Sequence, residues 1–192
     1  MLFRSGHRQS SLDMALKVGA VDEVGMDAGE AARGADLVVV ATPSALVIEV
    51  LEVLRGVCGR ETVVTDVAST KAAVCAYAKD AWSAPRRFVG SHPMAGSEKF
   101  GPEHGRADFF CGSVCLVEKS EGLDLGARDW VAGLWRGVGA EVVDVDPTLH
   151  DALLARTSHV PHVLAAASAV LAAGCGDVRK LVGNGLDRKS VV

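Results

Sequence analysis

The sequence lacks the features that would place it in a membrane or on a nucleic acid. Its longest apolar stretch, residues 160–173, is too short to span a bilayer and contains His162 and Ser168. The net charge is −4, and Lys and Arg form no extended run, which argues against a nucleic-acid partner. The order of residues typical of a secretory signal is also not found at the start. We therefore expect a cytoplasmic protein that binds neither membranes nor nucleic acids.

The chain has five cysteines, an odd number, and most of them lie among apolar residues. This pattern predicts reduced, buried thiols of a cytosolic protein rather than a disulfide framework. Cys111 and Cys115 have no second Cys or His pair at the spacing of a zinc site, so we expect no metal. The five cysteines are Cys58, Cys75, Cys111, Cys115 and Cys175.

Short apolar runs alternate with stretches of helical periodicity between residues 37 and 145. An aliphatic run that stops at Thr42-Pro43 is typical of a strand buried on both faces of a parallel sheet. The alternation predicts an α/β fold, a Rossmann-like doubly wound parallel sheet built from βα units. The predicted strands are 37–41, 62–66, 87–90, 113–117 and 141–145, and the predicted helices are 45–54, 70–81 and 127–136.

The pattern changes at Pro147, after which a long helical stretch runs from Asp151 to Ala173 with no later strand. Pro161 should kink this helix, because proline removes a backbone donor and crowds the preceding turn. We predict an NAD(P)-binding domain over residues 1–146 and the start of an all-helical substrate and dimerisation domain over residues 147–192.

Both ends of the chain have an unusual sequence. Leu2-Phe3-Arg4-Ser5 and the tail from Asp187 resemble the translation of a sequencing adapter. We interpret residues 1–5 and 187–192 as artificial and leave them out of the fold prediction, the native sequence running from Gly6 to Leu186.

A glycine-rich phosphate loop is not found. No Gly-x-Gly-x-x-Gly motif follows a predicted strand, although a dinucleotide site normally has one. Residues 6–11 fit the loop after the second strand of a Rossmann unit, which would place the first strand and the glycine loop upstream of this chain. Arg8 with Ser10 would then suit a 2′-phosphate and favour NADP over NAD. A solvated arginine near a terminus is the alternative.

Three polar segments follow predicted strands: Thr42-Pro43, residues 66–71 and residues 91–96. Ligands of an open α/β sheet bind outside the carboxyl ends of its strands, so these segments should converge on one crevice. We expect a cofactor to bind there and at the start of the chain. The residues assigned to cofactor binding are Arg8, Ser10, Thr42, Pro43, Asp66 and Ser69.

Four blocks of sequence resemble the prephenate and arogenate dehydrogenases. The most specific are Ser91-His92-Pro93-Met94-Ala95-Gly96-Ser97-Glu98 and Ser158-His159-Val160-Pro161-His162. Asp66-Val67-Ala68-Ser69-Thr70-Lys71 matches a third block, whereas Asp36-Leu37-Val38-Val39-Val40-Ala41-Thr42-Pro43 occurs in many NAD(P) enzymes. The blocks stand in the order of the family, and the resemblance extends from Gly6 to Leu186.

The resemblance implies an oxidoreductase of tyrosine biosynthesis that uses NADP or NAD. Its substrate would be prephenate, decarboxylated to 4-hydroxyphenylpyruvate, or arogenate, decarboxylated to tyrosine. The resemblance implies that His92 is the catalytic base for the ring hydroxyl and that Ser69 hydrogen-bonds in the same region. His162 and Glu98 would bind substrate in its pocket, and the complete protein would be a homodimer without a metal.

Other interpretations of these residues stay open. A β-hydroxyacid dehydrogenase has the same two-domain plan, and His92 could simply cap a strand. His159 and His162 lie three apart on a predicted helix, so they share a face that would suit a metal-dependent hydrolase. The helical region could also be a non-catalytic interaction module. Lys71 either lies at the solvent surface or approaches the phosphates of a cofactor.

Overall fold

A computed structural model of the chain describes residues 1–97, 99 and 101–173. Its backbone divides into two compact units, Met1–Thr148 and a second unit that begins at Leu149. The strands are β1 (Phe3–Ser5), β2 (Glu23–Gly25), β3 (Leu37–Val40), β4 (Val63–Asp66), β5 (Phe88–Val89), β6 (Ser91–Pro93), β7 (Val114–Glu118) and β8 (Glu141–Val145). The helices are α1 (Gln9–Lys17), α2 (Ala28–Ala32), α3 (Val47–Val57), α4 (Ala72–Ala81), α5 (Leu125–Gly137), α6 (Pro147–Leu154) and α7 (Val160–Ala173).

The centre of the first unit is a parallel sheet in the order β3-β4-β5. All four residues of β4 are buried, as expected for a strand covered on both faces. Helix α3 buries Val47, Leu51 and Leu54, which recur on one stripe of the helix and pack in the same core cluster as Phe88. The predicted Rossmann-like α/β fold is confirmed.

The sheet changes direction at Gly90. Strand β5 runs through this residue into β6, which pairs antiparallel with β7, while β7 and β8 are parallel with α5 between them. The described residues between β6 and β7 include one short 3-10 turn, Pro102–His104, and no α-helix of the kind that usually joins parallel strands. Strand β6 was not predicted, and its antiparallel pairing with β7 is an exception to the predicted parallel sheet.

The N-terminal segment forms a separate two-stranded sheet in which β1 and β2 are parallel, connected by α1. Leu12 and Ala15 are the buried residues of α1, one on each of two adjacent turns. Phe3–Ser5, which the fold prediction left out, pairs with Glu23–Gly25 in this sheet.

The described part of the second unit, residues 149–173, is helical as predicted. Helix α6 leads into a π-helical turn at Ala155–His159, and α7 follows. The π-helical turn ends just before Pro161, whose missing N–H and ring disfavour regular α-helix, and the kink itself stays a prediction. Within the part of the chain that the structure describes, no helix has the length and apolarity to cross a membrane. The predictions for Glu98, Cys175 and residues 187–192 fall outside the described residues.

Candidate functional site

A cleft of about 600 Å³ opens at the carboxyl ends of β3 and β4, beside β6. Thr42 and Pro43 follow β3, Ser69 lies three residues beyond β4, and His92 is the middle residue of β6. The structure therefore brings these four predicted site residues together. The residues that line the cleft are Val39, Ala41, Thr42, Pro43, Ser44, Val67, Ala68, Ser69, His92, Pro93, Ala95, Phe109, Phe110 and Trp135.

One wall of the cleft is aromatic. The rings of Phe109 and Phe110 meet edge to face with centroids 5.3 Å apart, and those of Phe110 and Trp135 do the same at 5.3 Å. Sequence analysis missed Phe109 and Phe110, which lie in the connection between β6 and β7. The sequence signal that could have identified them is a pair of adjacent phenylalanines in a connection, in a chain with only 5% aromatic residues. Such a wall suits a planar ring and keeps water away from it.

His92 is partly buried and stands opposite Leu116 in the register of β6 and β7. Its neighbour Ser91 is fully buried and anchors the strand. The Ser91 hydroxyl donates to the backbone oxygen of Asp66 at 2.6 Å and lies 3.0 Å from the Thr65 hydroxyl. The strand that carries His92 is thus tied to the end of β4, which leads to Ser69.

Asp66 lies beneath the cleft rather than in it. Its side chain is fully buried, pairs with Lys71, and accepts hydrogen bonds from the backbone N–H groups of Ala68 at 3.1 Å and Ser91 at 3.2 Å. Burial raises the pKa of Asp66, and the Lys71 ammonium group acts in the opposite direction. With both carboxylate oxygens engaged, this geometry does not support the predicted contact between the Asp66 side chain and a cofactor.

Lys71 is 2% exposed, so the interpretation as a lysine at the solvent surface is wrong, whereas an approach to the phosphates of a cofactor stays a prediction. The sequence around a lysine one residue before a helix does not indicate that the lysine is buried. The burial of Lys71 depends on its partner, the carboxylate of Asp66 at the end of the preceding strand.

The remaining predicted site residues lie elsewhere. Arg8 is the residue before α1 and Ser10 is in its first turn, both exposed, in the segment that follows β1. Neither lines the cleft. His162 is exposed on α7 in the second unit, and its Nδ1 lies 2.9 Å from the Ser158 carbonyl oxygen. The roles assigned to Arg8, Ser10 and His162 stay predictions.

The cysteines differ in exposure. Cys75 and Cys115 are buried, which raises the pKa of both thiols, that of Cys115 to about 12. Cys58 is partly buried, whereas Cys111 is exposed, so the prediction of a buried thiol is wrong at Cys111. Over the described residues, no three His, Cys, Asp or Glu side chains are grouped so that they could hold a metal ion.

The sequence model of the family described as "Prephenate dehydrogenase, nucleotide-binding domain" matches residues 4–144. The chain is 33% identical over 154 residues to the prephenate dehydrogenase of Bacillus subtilis, a match that covers 79% of this chain and 41% of that protein. It is 33% identical over 186 residues to the 4-amino-4-deoxyprephenate dehydrogenase of Streptomyces pristinaespiralis, covering 91% of this chain and 56% of that one.

Two solved structures share the fold. One is the prephenate dehydrogenase of Aquifex aeolicus in complex with hydroxyphenyl propionate and NAD+, with a TM-score of 0.88 and 25% identity. The match covers 98% of this chain and 67% of the Aquifex chain. The arogenate dehydrogenase of Synechocystis has a TM-score of 0.82 and 27% identity and covers 98% of this chain and 69% of its own. The chain thus spans 41% and 56% of the two curated relatives above. Because the family's model matches most of the sequence and members of the family share its fold, the chain belongs to the prephenate dehydrogenase family.

Proposed function

We propose that the protein carrying this chain catalyses the NAD(P)-dependent oxidative decarboxylation of prephenate to 4-hydroxyphenylpyruvate, or of arogenate to tyrosine. The observation that supports this most directly is the cleft in which His92 and Ser69 lie beside Thr42-Pro43 at the carboxyl edge of a parallel sheet. Relatives that act on prephenate, and a similar structure that contains NAD+ and a hydroxyphenyl compound, agree with this proposal.

The residues of the cleft fit a nicotinamide cofactor. Thr42 has a buried hydroxyl without a hydrogen-bond partner among the described residues, so a polar atom of a ligand would satisfy it. Thr42, Pro43 and Ser69 would hold the cofactor, and Arg8 with Ser10 would bind the 2′-phosphate that distinguishes NADP from NAD. When bound, the nicotinamide accepts the hydride.

Within this cleft, His92 would act as general base. A neutral imidazole takes the proton of the ring hydroxyl, and the carbinol carbon loses its hydride. The bond from the ring to the carboxylate then breaks, carbon dioxide leaves, and its electron pair completes the aromatic ring. Ser69 would hydrogen-bond the same hydroxyl. General-base help of this kind contributes about 100- to 10,000-fold to the rate.

We assign substrate binding to His162 and Glu98 and a homodimer to the complete protein. The support for a dimer is the apolar surface of α7, on which Val163, Leu164, Val170 and Leu171 are 67%, 62%, 72% and 74% exposed. A patch of this kind on a helix is typical of a surface that is covered in an assembly. We place the protein in the cytoplasm, in keeping with the free thiols of its four described cysteines.

The test is steady-state kinetics of the complete protein with prephenate and arogenate, each with NAD+ and NADP+. We expect reduced cofactor and carbon dioxide in equal amounts with at least one ring substrate. Reduction only with a β-hydroxyacid such as 3-hydroxyisobutyrate, without carbon dioxide, would contradict the proposal and favour the alternative dehydrogenase.

A further inference from the structure

A single buried carboxylate joins the two segments that carry Ser69 and His92. One oxygen of Asp66 accepts from the backbone N–H of Ala68, next to Ser69. The other accepts from the backbone N–H of Ser91, next to His92. The Ser91 hydroxyl adds a bond of 2.6 Å to the Asp66 backbone oxygen. The Asp66 carboxylate thus ties the backbone beside Ser69 to the backbone beside His92.

Lys71 holds the carboxylate in place. Both side chains are buried, at 2% and 0% exposure, and their charged ends are in contact. The lysine stem runs under Gly90, where an added Cβ would lie 3.3 Å from Lys71 Cδ and 2.6 Å from Cys75 Sγ. Glycine therefore lets the strand approach the pair closely. Because desolvation offsets much of the attraction in a buried ion pair, its main contribution here is the fixed arrangement rather than stability.

A second buried ion pair in the same unit provides a comparison. Arg86 and Glu118 are 3% and 2% exposed and in contact, and Glu118 accepts from the backbone N–H of Gly90 at 3.0 Å. Gly90 is also held by a backbone bond of 2.8 Å from the Glu118 N–H to its carbonyl oxygen. Losing the Glu118 carboxylate therefore leaves this part of the strand anchored. At Ser91 the backbone N–H donates to the Asp66 carboxylate, while the hydroxyl contacts the Asp66 carbonyl oxygen and the Thr65 hydroxyl.

We propose that Asp66, held by Lys71, is a positioning residue that sets the separation of Ser69 and His92. The proposal rests on the function given above, in which these two side chains act on the same hydroxyl. Asp66 does not line the cleft. It acts through the backbone of Ala68 and Ser91, and a displacement of about 1 Å at the reacting groups is enough to slow a reaction about 100-fold.

The test uses three variants of the complete protein: Asp66→Asn, the double variant Asp66→Asn/Lys71→Met, and Glu118→Gln. The asparagine amide cannot accept at both positions, so one of the two backbone anchors is lost. The double variant also removes the buried lysine charge that faces the Asp66 carboxylate, which reduces the cost of burying that charge opposite a neutral amide. Glu118→Gln is the matched control, since it weakens an equally buried ion pair beside Gly90.

We expect kcat per folded molecule to fall about 10- to 100-fold in both Asp66 variants. The deuterium isotope effect on hydride transfer should rise, because that step becomes slower. Glu118→Gln should keep its isotope effect and its kcat to within about threefold. A folded double variant with the kcat and isotope effect of the unchanged protein, or an equal loss in Glu118→Gln, would overturn the proposal.

Crystal structures of the unchanged protein and the double variant separate this proposal from the proposed function. A shift of Ser69 relative to His92 supports the positioning role of Asp66 even if neither prephenate nor arogenate is oxidised, a result that defeats only the proposed function. Unchanged positions of Ser69 and His92 in the double variant overturn the positioning role, whatever the activity.

Discussion

The two units differ in how far their apolar side chains are exposed. In the sheet unit, Val63, Val64 and Phe88 are completely buried within two core clusters that cover the parallel strands. In the helical unit, Val163 and Leu171 of α7 are 67% and 74% exposed. The sheet unit therefore carries its own core and its own cleft, whereas the apolar residues of α7 stabilise a fold only where something covers them.

The largest stability effect should come from the core of the sheet unit. Phe88→Ala removes a ring that is 0% exposed and packs 6.1 Å from the ring of Trp82. We expect the free energy of unfolding to fall by about 3–5 kcal/mol, measured by urea denaturation. Leu164→Ala on α7 is the comparison and should change the free energy of unfolding of the monomer by less than about 0.5 kcal/mol. Equal losses in the two variants would abolish the contrast between the units.

The next effect concerns self-association. Leu164 is 62% exposed on α7, and Leu164→Glu places a charge on the apolar surface that we propose is covered in the dimer. We expect dimer formation to weaken by about 2 kcal/mol or more, seen by analytical ultracentrifugation of the complete protein. Lys79→Glu in α4 is the control for added negative charge. A Leu164→Glu dimer of unchanged affinity would show that α7 is not the interface.

A smaller effect should come from a helix end in the sheet unit. Asp124 caps α5, and its carboxylate accepts from the Ala127 N–H at 2.7 Å. Asp124→Ala should cost about 1 kcal/mol of unfolding free energy, because it leaves a helix N–H without its partner. Asp129→Ala, which removes an exposed carboxylate from the same helix, should cost less than about 0.5 kcal/mol by the same denaturation assay. A cost for Asp124→Ala as small as that for Asp129→Ala would exclude the capping role.

Local pattern predicted much of the sheet unit. The apolar run at 37–41 became β3 (Leu37–Val40), and the helix predicted over 127–136 became α5 (Leu125–Gly137). In both cases the signal lies within the element itself, in an aliphatic run or in the period of its apolar residues. Strand β2 was not predicted, because its three residues are too few to show a period.

The structural features that the sequence pattern could not predict depend on contacts between residues that are distant in sequence. The burial of Lys71 requires the Asp66 carboxylate and the glycine at position 90, which come together only when β4 and β5 pair. The antiparallel direction of β6 depends on its pairing with β7, more than twenty residues later in the chain. The family resemblance found the cleft residues Ser69 and His92, but not the buried pair beneath them.

The central claim is that His92 serves as the base for hydride transfer, and one substitution tests it most directly. In the complete protein, His92→Asn should lower kcat at least about 100-fold at unchanged cofactor KM, because asparagine cannot accept the hydroxyl proton. His104→Asn, the same change at an exposed histidine that does not line the cleft, should leave kcat within about twofold. Turnover by His92→Asn equal to that of the unchanged protein would contradict the account.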